Sequence, residues 1–447
     1  MFPHTERKAN DKVASAPIRS RRAMLSPVIA MKFVHAADLH IDSPLRGLAR
    51  YEGAPIEAVR GATRRAMQNL VDLCLEEGAA FLLIAGDIYD GDWKDYGTGL
   101  FFLNQLARLR AAEIDVVLVR GNHDAESRIT KHLRFPENVH ELAVNAPSSF
   151  DLARHGVRVH GQGFRTRAVT DDLAAGYPDA TRGAFNIGLL HTAVGGRPGH
   201  ENYAPCRLPT LIAKGYDYWA LGHVHHREVL STEPHIVFSG NLQGRHMRET
   251  GAKGASLVTV DDRRVVSVEH RALDAVRWAL VRTDVTGAES GHDVVDLARA
   301  SLERALFAAE GRVLAARVVL EGTTDAHSML LANKEQYTNE IRIAVSNLPG
   351  EIFIENIVLS TESAIDLERI REQDDAVGQL ARSLHAMKTD PAAHAMLAAE
   401  LAELTQRLPL KLREGDDALV LDGARLAEIV TDVEASLIPR LLAVEGM

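Results

Sequence analysis

The sequence predicts an α/β fold, and three observations carry that reading. From residue 31 to about 270, short apolar, β-rich runs alternate with helical stretches. Polar, metal-competent residues cluster just after those runs, where an open α/β sheet collects its ligands. After Asp274 the alternation restarts, and from 361 onward almost everything reads as helix. At 447 residues the chain has room for about three domains of ~150 residues each. Its 46% hydrophobic and 25% charged residues are ordinary globular usage, which excludes a disordered or collagen-like chain.

The strand-like runs are 33–37, 81–85, 116–119, 157–160, 186–190 and 218–221. Between the first two, Val59, Ala62, Ala66, Met67, Leu70 and Leu73 recur at helical spacing. Runs at 236–238, 256–260 and 265–269 are separated by short turns and predict an added antiparallel group. A compact α+β unit follows at 275–360: strand 278–283, helix 292–309, strand 312–320, helix 333–346 and strand 352–358. In 361–447, Leu397, Leu401, Leu404 and Leu408 form one apolar stripe, and Leu426, Ile429, Val430, Val433 and Leu437 form a second. Residues 1–30 carry a local net charge of +4 and read as a disordered or over-long leader before Met31.

Five segments close strand-like runs in polar residues. They are His35-Ala36-Ala37-Asp38-Leu39-His40, Ala85-Gly86-Asp87-Ile88-Tyr89-Asp90, Arg120-Gly121-Asn122-His123-Asp124, Gly188-Leu189-Leu190-His191 and Leu221-Gly222-His223-Val224-His225. Each alone has an ordinary explanation: a turn aspartate, a helix cap, a satisfied core histidine. All five in order, each ending an apolar strand, point to one site. Asp38, His40, Asp87, Asn122, His191, His223 and His225 then supply seven side chains. If Asp87 bridges, each of two metal ions receives four protein ligands. Imidazole with carboxylate and amide oxygen, and no cysteine, suits Mn²⁺, Fe²⁺ or Zn²⁺ rather than a structural thiolate site. Two divalent ions ~3.5–4 Å apart lower the pKa of a shared water to ~7, giving a hydroxide that attacks phosphorus in line. His123 is the candidate to protonate the leaving oxygen, with Asp124 to fix its tautomer.

This ordered set resembles the calcineurin-type metallophosphoesterase superfamily. More narrowly, it resembles DNA repair exonucleases, the nuclease subunits of the bacterial SbcCD and eukaryotic Mre–Rad complexes. The run from His35 through Ile41-Asp42-Ser43-Pro44-Leu45, with Gly240-Asn241-Leu242-Gln243-Gly244-Arg245-His246-Met247-Arg248-Glu249, looks like the bacterial YhaO-type branch. The resemblance implies a four-layer α/β/β/α sandwich over 31–274 and a cap domain that selects DNA over 275–360. It further implies a helical region over 361–447 that docks on an SMC/Rad-type ATPase. The seven ligands occupy the family's metal positions, and His123 matches its proton-donating histidine. Arg245 and His246 lie in a loop that either meets the substrate phosphate or is a solvated surface turn. Tyr89 and Trp93 either stack a base or pack the loop, with packing favoured; Phe101, Phe102 and Trp219 read as core.

Charge departs from the resemblance. The chain carries a formal net charge of −10, of which 361–447 contributes −8, so neither later region is basic. The expectation is therefore an Mn²⁺-dependent phosphodiesterase acting on DNA ends, its DNA affinity borrowed from the ATPase. The alternatives are a small-substrate phosphoesterase, for a cyclic nucleotide or phosphoprotein, and a non-catalytic DNA- or ATPase-binding scaffold. A homodimer stays open. Two cysteines and no apolar run long enough for a bilayer fit a reducing, cytoplasmic setting without a membrane partner.

Overall fold

A computed structural model describes residues 31–43, 61–90, 96–126, 134–195, 203–407 and 422–445. The leader 1–30 and the residues Pro44, Leu45, Val59, Trp93 and Leu408 lie outside the described residues.

Two six-stranded sheets face each other. The first begins with β1 (Met31–Ala36), β2 (Phe81–Ala85), β3 (Asp115–Val119) and β4 (Val139–Glu141), all parallel neighbours. The second holds β5 (Ser148–Leu152), β6 (Val157–Gly161), β7 (Phe185–His191), β8 (Tyr218–Gly222), β9 (Glu228–Thr232) and β10 (His235–Phe238), in the order 5-6-7-8-10-9. The chain then returns to the first sheet as an antiparallel hairpin, β11 (Gly254–Asp261) and β12 (Arg264–Ala272), with β11 laid against β1.

Alternate residues of each strand serve two cores, as the pleat demands. Phe33, Phe81, Leu83, Val117 and Val119 meet Val159, Phe185, Ile187, Leu189 and Tyr218 between the sheets. Phe33 and Phe81, paired in register, stack at 4.9 Å. The opposite set, Val34, Leu82, Ile84, Val116 and Leu118, packs under helices α1 (Ala62–Glu76) and α2 (Tyr96–Ala111). After α3 (Asn122–Glu126), the fourth layer is thin: α4 (Leu208–Ala213) and the turn at 173–176 cover Trp219, Leu221 and Phe238. The architecture is the expected α/β/β/α sandwich. Phe102 and Trp219 are fully buried in it. Phe101 is half-buried, with the Arg64 guanidinium 5.2 Å from its ring.

Ile236–Val237–Phe238 departs from expectation. It pairs in parallel with β8 and antiparallel only with β9, so just β11 and β12 form the added antiparallel pair on their sheet.

A third sheet joins β13 (Val276–Asp284), β14 (Val313–Thr324) and β15 (Ile352–Ser363). All its pairings are parallel, because α5 (Gly291–Ala308) and then α6 (His327–Ala332) with α7 (Lys334–Val345) carry the chain back between strands. The unit is thus α/β in topology rather than α+β, and its last strand runs three residues beyond the expected boundary at 360. Its helices bury one face of the sheet through Val294, Leu302 and Ile341. On the other face Trp278, Ala315 and Phe353 pack against Ala62 and Met247 of the sandwich.

The C-terminal helices are α8 (Leu367–Arg371), α9 (Ala376–Met387), α10 (Pro391–Gln406) and α11 (Gly423–Glu445). Ile370, Val377, Ala381, Leu384 and Ile438 form a small core of their own. In α11 the buried face is Leu426, Val430, Glu434 and Ile438, whereas Val433 and Leu437 of the expected stripe are exposed. Glu434 is tolerated inside because Lys388 lies 2.5 Å away and Arg371 3.4 Å away. Among the described residues, no helix is long and apolar enough to cross a membrane.

Candidate metal centre

The parallel strands β1, β2, β3, β7 and β8 all point their carboxyl ends at one crevice between the two facing sheets. Each of the five polar segments leaves a strand there. Several donors sit in left-handed backbone: φ is 51° at Asp38, 42° at His40, 53° at Asp87 and 99° at His223. Such conformations cost about 1–3 kcal/mol each for residues other than glycine. Hydrogen bonds between the loops hold them. Asp38 N–H donates to Gly86 O and His40 N–H to Asp87 O, both at 3.0 Å, and His223 N–H donates to the Asp38 carboxylate at 3.0–3.1 Å.

The donor atoms converge. His40 Nε2 lies 3.3 Å from His225 Nε2 and 3.9 Å from Asp87 Oδ2. His191 Nε2 lies 2.9 Å from Asn122 Oδ1 and 3.5 Å from Asp87 Oδ2, and its Nδ1 lies 2.9 Å from Ala85 O. Three sets, Asp38–His40–His225, His40–Asp87–His123 and Asp38–Asp87–His191, each bring their ligand atoms within 4.8 Å of one another. His223 is buried with its ring edge-on to His191 at 5.1 Å, outside these three sets.

The electrostatics fit divalent cations. Burial, and then the Asp87 charge, pushes the Asp38 carboxyl well above its usual range, and burial raises Asp87 as well. Burial likewise holds the imidazoles of His40, His191 and His225 below their ordinary value, with His191 down at about 3. Neutral imidazoles are ligands with free lone pairs. Two buried carboxylates among them are the arrangement that a dication stabilises.

Around this centre the structure corrects one expectation. Asp124 does not serve His123. Its fully buried carboxylate accepts from the backbone N–H groups of Ile88, Tyr89 and Gly121, and so organises the loop after β2. Asp90 takes the expected role, 3.1 Å from His123 Nδ1. Burial opposes charge on His123, but Asp90 and Asp87 outweigh it and hold the imidazole above its ordinary value. Asp90 in turn is held down at about 2, against its own burial, by His123 and Arg245.

Arg245 faces the centre, its guanidinium 3.4 Å from His225 Nδ1 and 3.6 Å from Asp90. His246 is 43% exposed, its Nδ1 accepting from Arg248 N–H while its Nε2 lies 3.7 Å from Glu249 Oε1. Tyr89 is buried against Phe102, which is packing. Sequence reasoning missed Glu249, whose Oε1 lies 2.6 Å from His225 Nδ1, and Lys253, whose Nζ donates to His225 O at 2.8 Å. His35, by contrast, is a core histidine, satisfied by Tyr218 Oη and Leu221 O.

A two-sheet sandwich with buried aspartates and histidines at its strand ends defines the class: a metal-dependent phosphoester hydrolase. Comparison with known proteins agrees. The family described as "Calcineurin-like phosphoesterase" matches residues 31–227, and "Metallophosphoesterase YhaO, middle domain" matches 278–362. The chain is 34% identical over 297 residues to the "Uncharacterized metallophosphoesterase YhaO" of Bacillus subtilis (strain 168), covering 66% of this chain and 72% of that one. It therefore belongs to the calcineurin-like metallophosphoesterases, and its middle domain is YhaO-like. Among solved structures, a dimetal phosphatase from Danio rerio is similar over 55% of this chain and 100% of that one. At 13% identity and a TM-score of 0.31 that likeness is too remote to argue from.

Proposed function

We propose that the chain is a dinuclear, Mn²⁺-dependent phosphodiesterase that acts on DNA ends together with an SMC-like ATPase. One observation carries the chemistry: Asp38 and Asp87, both buried, lie side by side among the neutral imidazoles of His40, His191 and His225, from the ends of β1, β7 and β8. Asp38, His40, Asp87, Asn122, His191, His223 and His225 would hold two ions. When bound, such ions lower the pKa of a shared water to about 7 and offset charge on the phosphoryl oxygens.

The remaining work belongs to the protein. Asp90 engages Nδ1 of His123, which leaves Nε2 to carry a proton to the departing alkoxide. Arg245, held at the rim by Asp90 and Glu249, offers a planar fork to a phosphate oxygen. His246, in the same loop and half exposed, is assigned with Arg245 to the substrate phosphate. A cap and a helical region beside the core favour a polymer and a partner over a small substrate. In α10, none of the side chains at 391–402 is fully buried, and Met396 is 72% exposed. That face, with the acidic charge around it, supports docking on a basic ATPase.

The test is purified protein with Mn²⁺, assayed side by side on linear DNA, cyclic nucleotides and bis-p-nitrophenyl phosphate. Turnover of linear DNA that chelator abolishes and Mn²⁺ restores is expected. Hydrolysis of cyclic nucleotides alone would assign a small substrate. No hydrolysis on any arm would leave a binding scaffold.

A further inference from the structure

The segment that closes over His225 lies beyond the 31–227 family match, and its other end is tied to the cap sheet. Three of its residues fix His225. Glu249 Oε1 stands 2.6 Å from Nδ1, Lys253 Nζ donates to the His225 carbonyl at 2.8 Å, and Asn241 N–H donates to the same carbonyl at 3.3 Å. Glu249 is itself buried and held, accepting from the Asn241 side chain at 2.9 Å and from Arg245 N–H at 2.7 Å.

The same segment hangs on the cap. Trp278 Nε1 of β13 donates to Gly244 O at 2.9 Å. Gln243 Oε1 accepts from the N–H groups of Ala275 and Val276, and its Nε2 donates to Val276 O at 2.7 Å. The fit allows no slack: a Cβ at Gly244 would sit 2.9 Å from the Trp278 ring and 2.7 Å from Glu249 O. Trp278 is buried at the seam between sandwich and cap, against Met247, Ala62 and Phe353.

We propose that Glu249 is a positioning residue for His225, and that the seating of Trp278 on Gly244 sets Glu249, so that the cap's position is felt at the Asp38–His40–His225 donors. The proposal rests on the dinuclear reading above. A carboxylate on Nδ1–H fixes the tautomer, presents the Nε2 lone pair and raises its basicity. Partners of this kind are worth about 10–100-fold in metal affinity. Trp278 touches no donor and acts only through the backbone of Gly244 and the loop that carries Glu249.

Two measurements on the full chain test this, with thermal melting to confirm folding. In Mn²⁺ calorimetry, Glu249→Ala weakens one of two binding events about 10–100-fold. Glu249→Gln weakens it less, because the amide oxygen still accepts from Nδ1–H, and Trp278→Phe weakens the same event. In metal-free, histidine-labelled protein, the His225 ¹⁵N signals report an Nδ1–H tautomer that Glu249→Ala and Trp278→Phe shift toward a mixture. Unchanged His225 signals in folded Glu249→Ala overturn the positioning role, and unchanged signals in Trp278→Phe overturn the link to the cap. Wild-type protein binding fewer than two Mn²⁺ would sink the dinuclear reading alone, since the nitrogen signals decide the positioning without metal.

Discussion

The two oxygens of Asp87 face different groups: Oδ1 accepts from His123 N–H at 3.0 Å, while Oδ2 faces His191 at 3.5 Å and His40 at 3.9 Å. A carboxamide keeps that shape but would bring one neutral oxygen to the place that the proposed two cations would share. Asp87→Asn is therefore expected to remove most activity, whereas His191→Ala weakens one ion only. Elemental analysis at saturating Mn²⁺ checks both, and one or no ion in the wild-type protein would contradict the shared site. His123 makes a different prediction. As a proton donor that holds no metal, its loss in His123→Ala should cut turnover by about 10²–10⁴ with metal content unchanged. A poor leaving group should suffer more than p-nitrophenolate, which departs unassisted. Because His123 is held above its ordinary value, its acid form persists to higher pH than a free imidazole's, and activity is expected to fall as pH rises through its pKa. His123→Ala should lose that alkaline limb; equal losses on both substrates and an intact limb would speak against the role. Asp38, His40, Asp87, Asn122, His191 and His225 converge in the crevice and His223 packs edge-on against His191; these positions were legible because each follows an apolar strand. Asp90 and Glu249 were not. Which carboxylate meets an imidazole depends on which strand ends are neighbours, and chain adjacency favoured Asp124 for the wrong reason.

At the scale of elements, the strand ends are brought together by glycines. A Cβ on Gly222, at the end of β8, would overlap the carbonyl oxygen of Ala85 at the end of β2. That same oxygen meets His191 Nδ1 at 2.9 Å. Gly222→Ala should thus wedge the two sheets apart at their ligand-bearing ends, at about 1–3 kcal/mol in stability, the usual cost of overpacking. A fall in melting temperature together with weaker Mn²⁺ binding is expected, and a variant matching wild type in both would show that the crevice has slack. The elements themselves were unevenly legible. Apolar runs flanked by helical periodicity located β1, β2, β3, β7 and β8 and most of the cap to within a few residues, but α6 was not foreseen and β15 runs past its expected end at 358 to Ser363. In β5, Ser148-Ser149-Phe150-Asp151-Leu152, the alternation rests on Phe150 and Leu152 alone, and β4 has three residues, so neither stands out from the sequence. The parallel pairing of β10 on β8 was hidden for another reason. A short turn after β9 looks local, but β10 inserts between β9 and β8, and only the sheet decides that.

For the whole molecule, the proposed DNA substrate raises a question of charge, because the chain is acidic. Among the described residues, the buried clusters that hold the sandwich and the cap contain none beyond Leu359, although α11 touches α6 of the cap. The C-terminal helices keep a separate core, closed by Glu434 between Lys388 and Arg371. Folding of the first two units therefore does not require the third. Since 361–447 carries net −8, removing it also makes the remainder less acidic, so lost charge attraction to DNA is not what truncation would cause. The cut belongs after Ala364 rather than Ser360, because β15 runs to Ser363 and Thr361 Oγ1 bonds His327 Nδ1 at 2.9 Å. Protein ending at Ala364 should fold, bind two Mn²⁺ and hydrolyse bis-p-nitrophenyl phosphate at the full-length rate, yet fail to co-purify with a co-expressed SMC-like ATPase. Its turnover of linear DNA in the presence of that ATPase should then drop to the level seen without it. Co-purification of the truncated chain at normal yield would place the partner's contact on the sandwich or the cap, and the acidic helices would need another role.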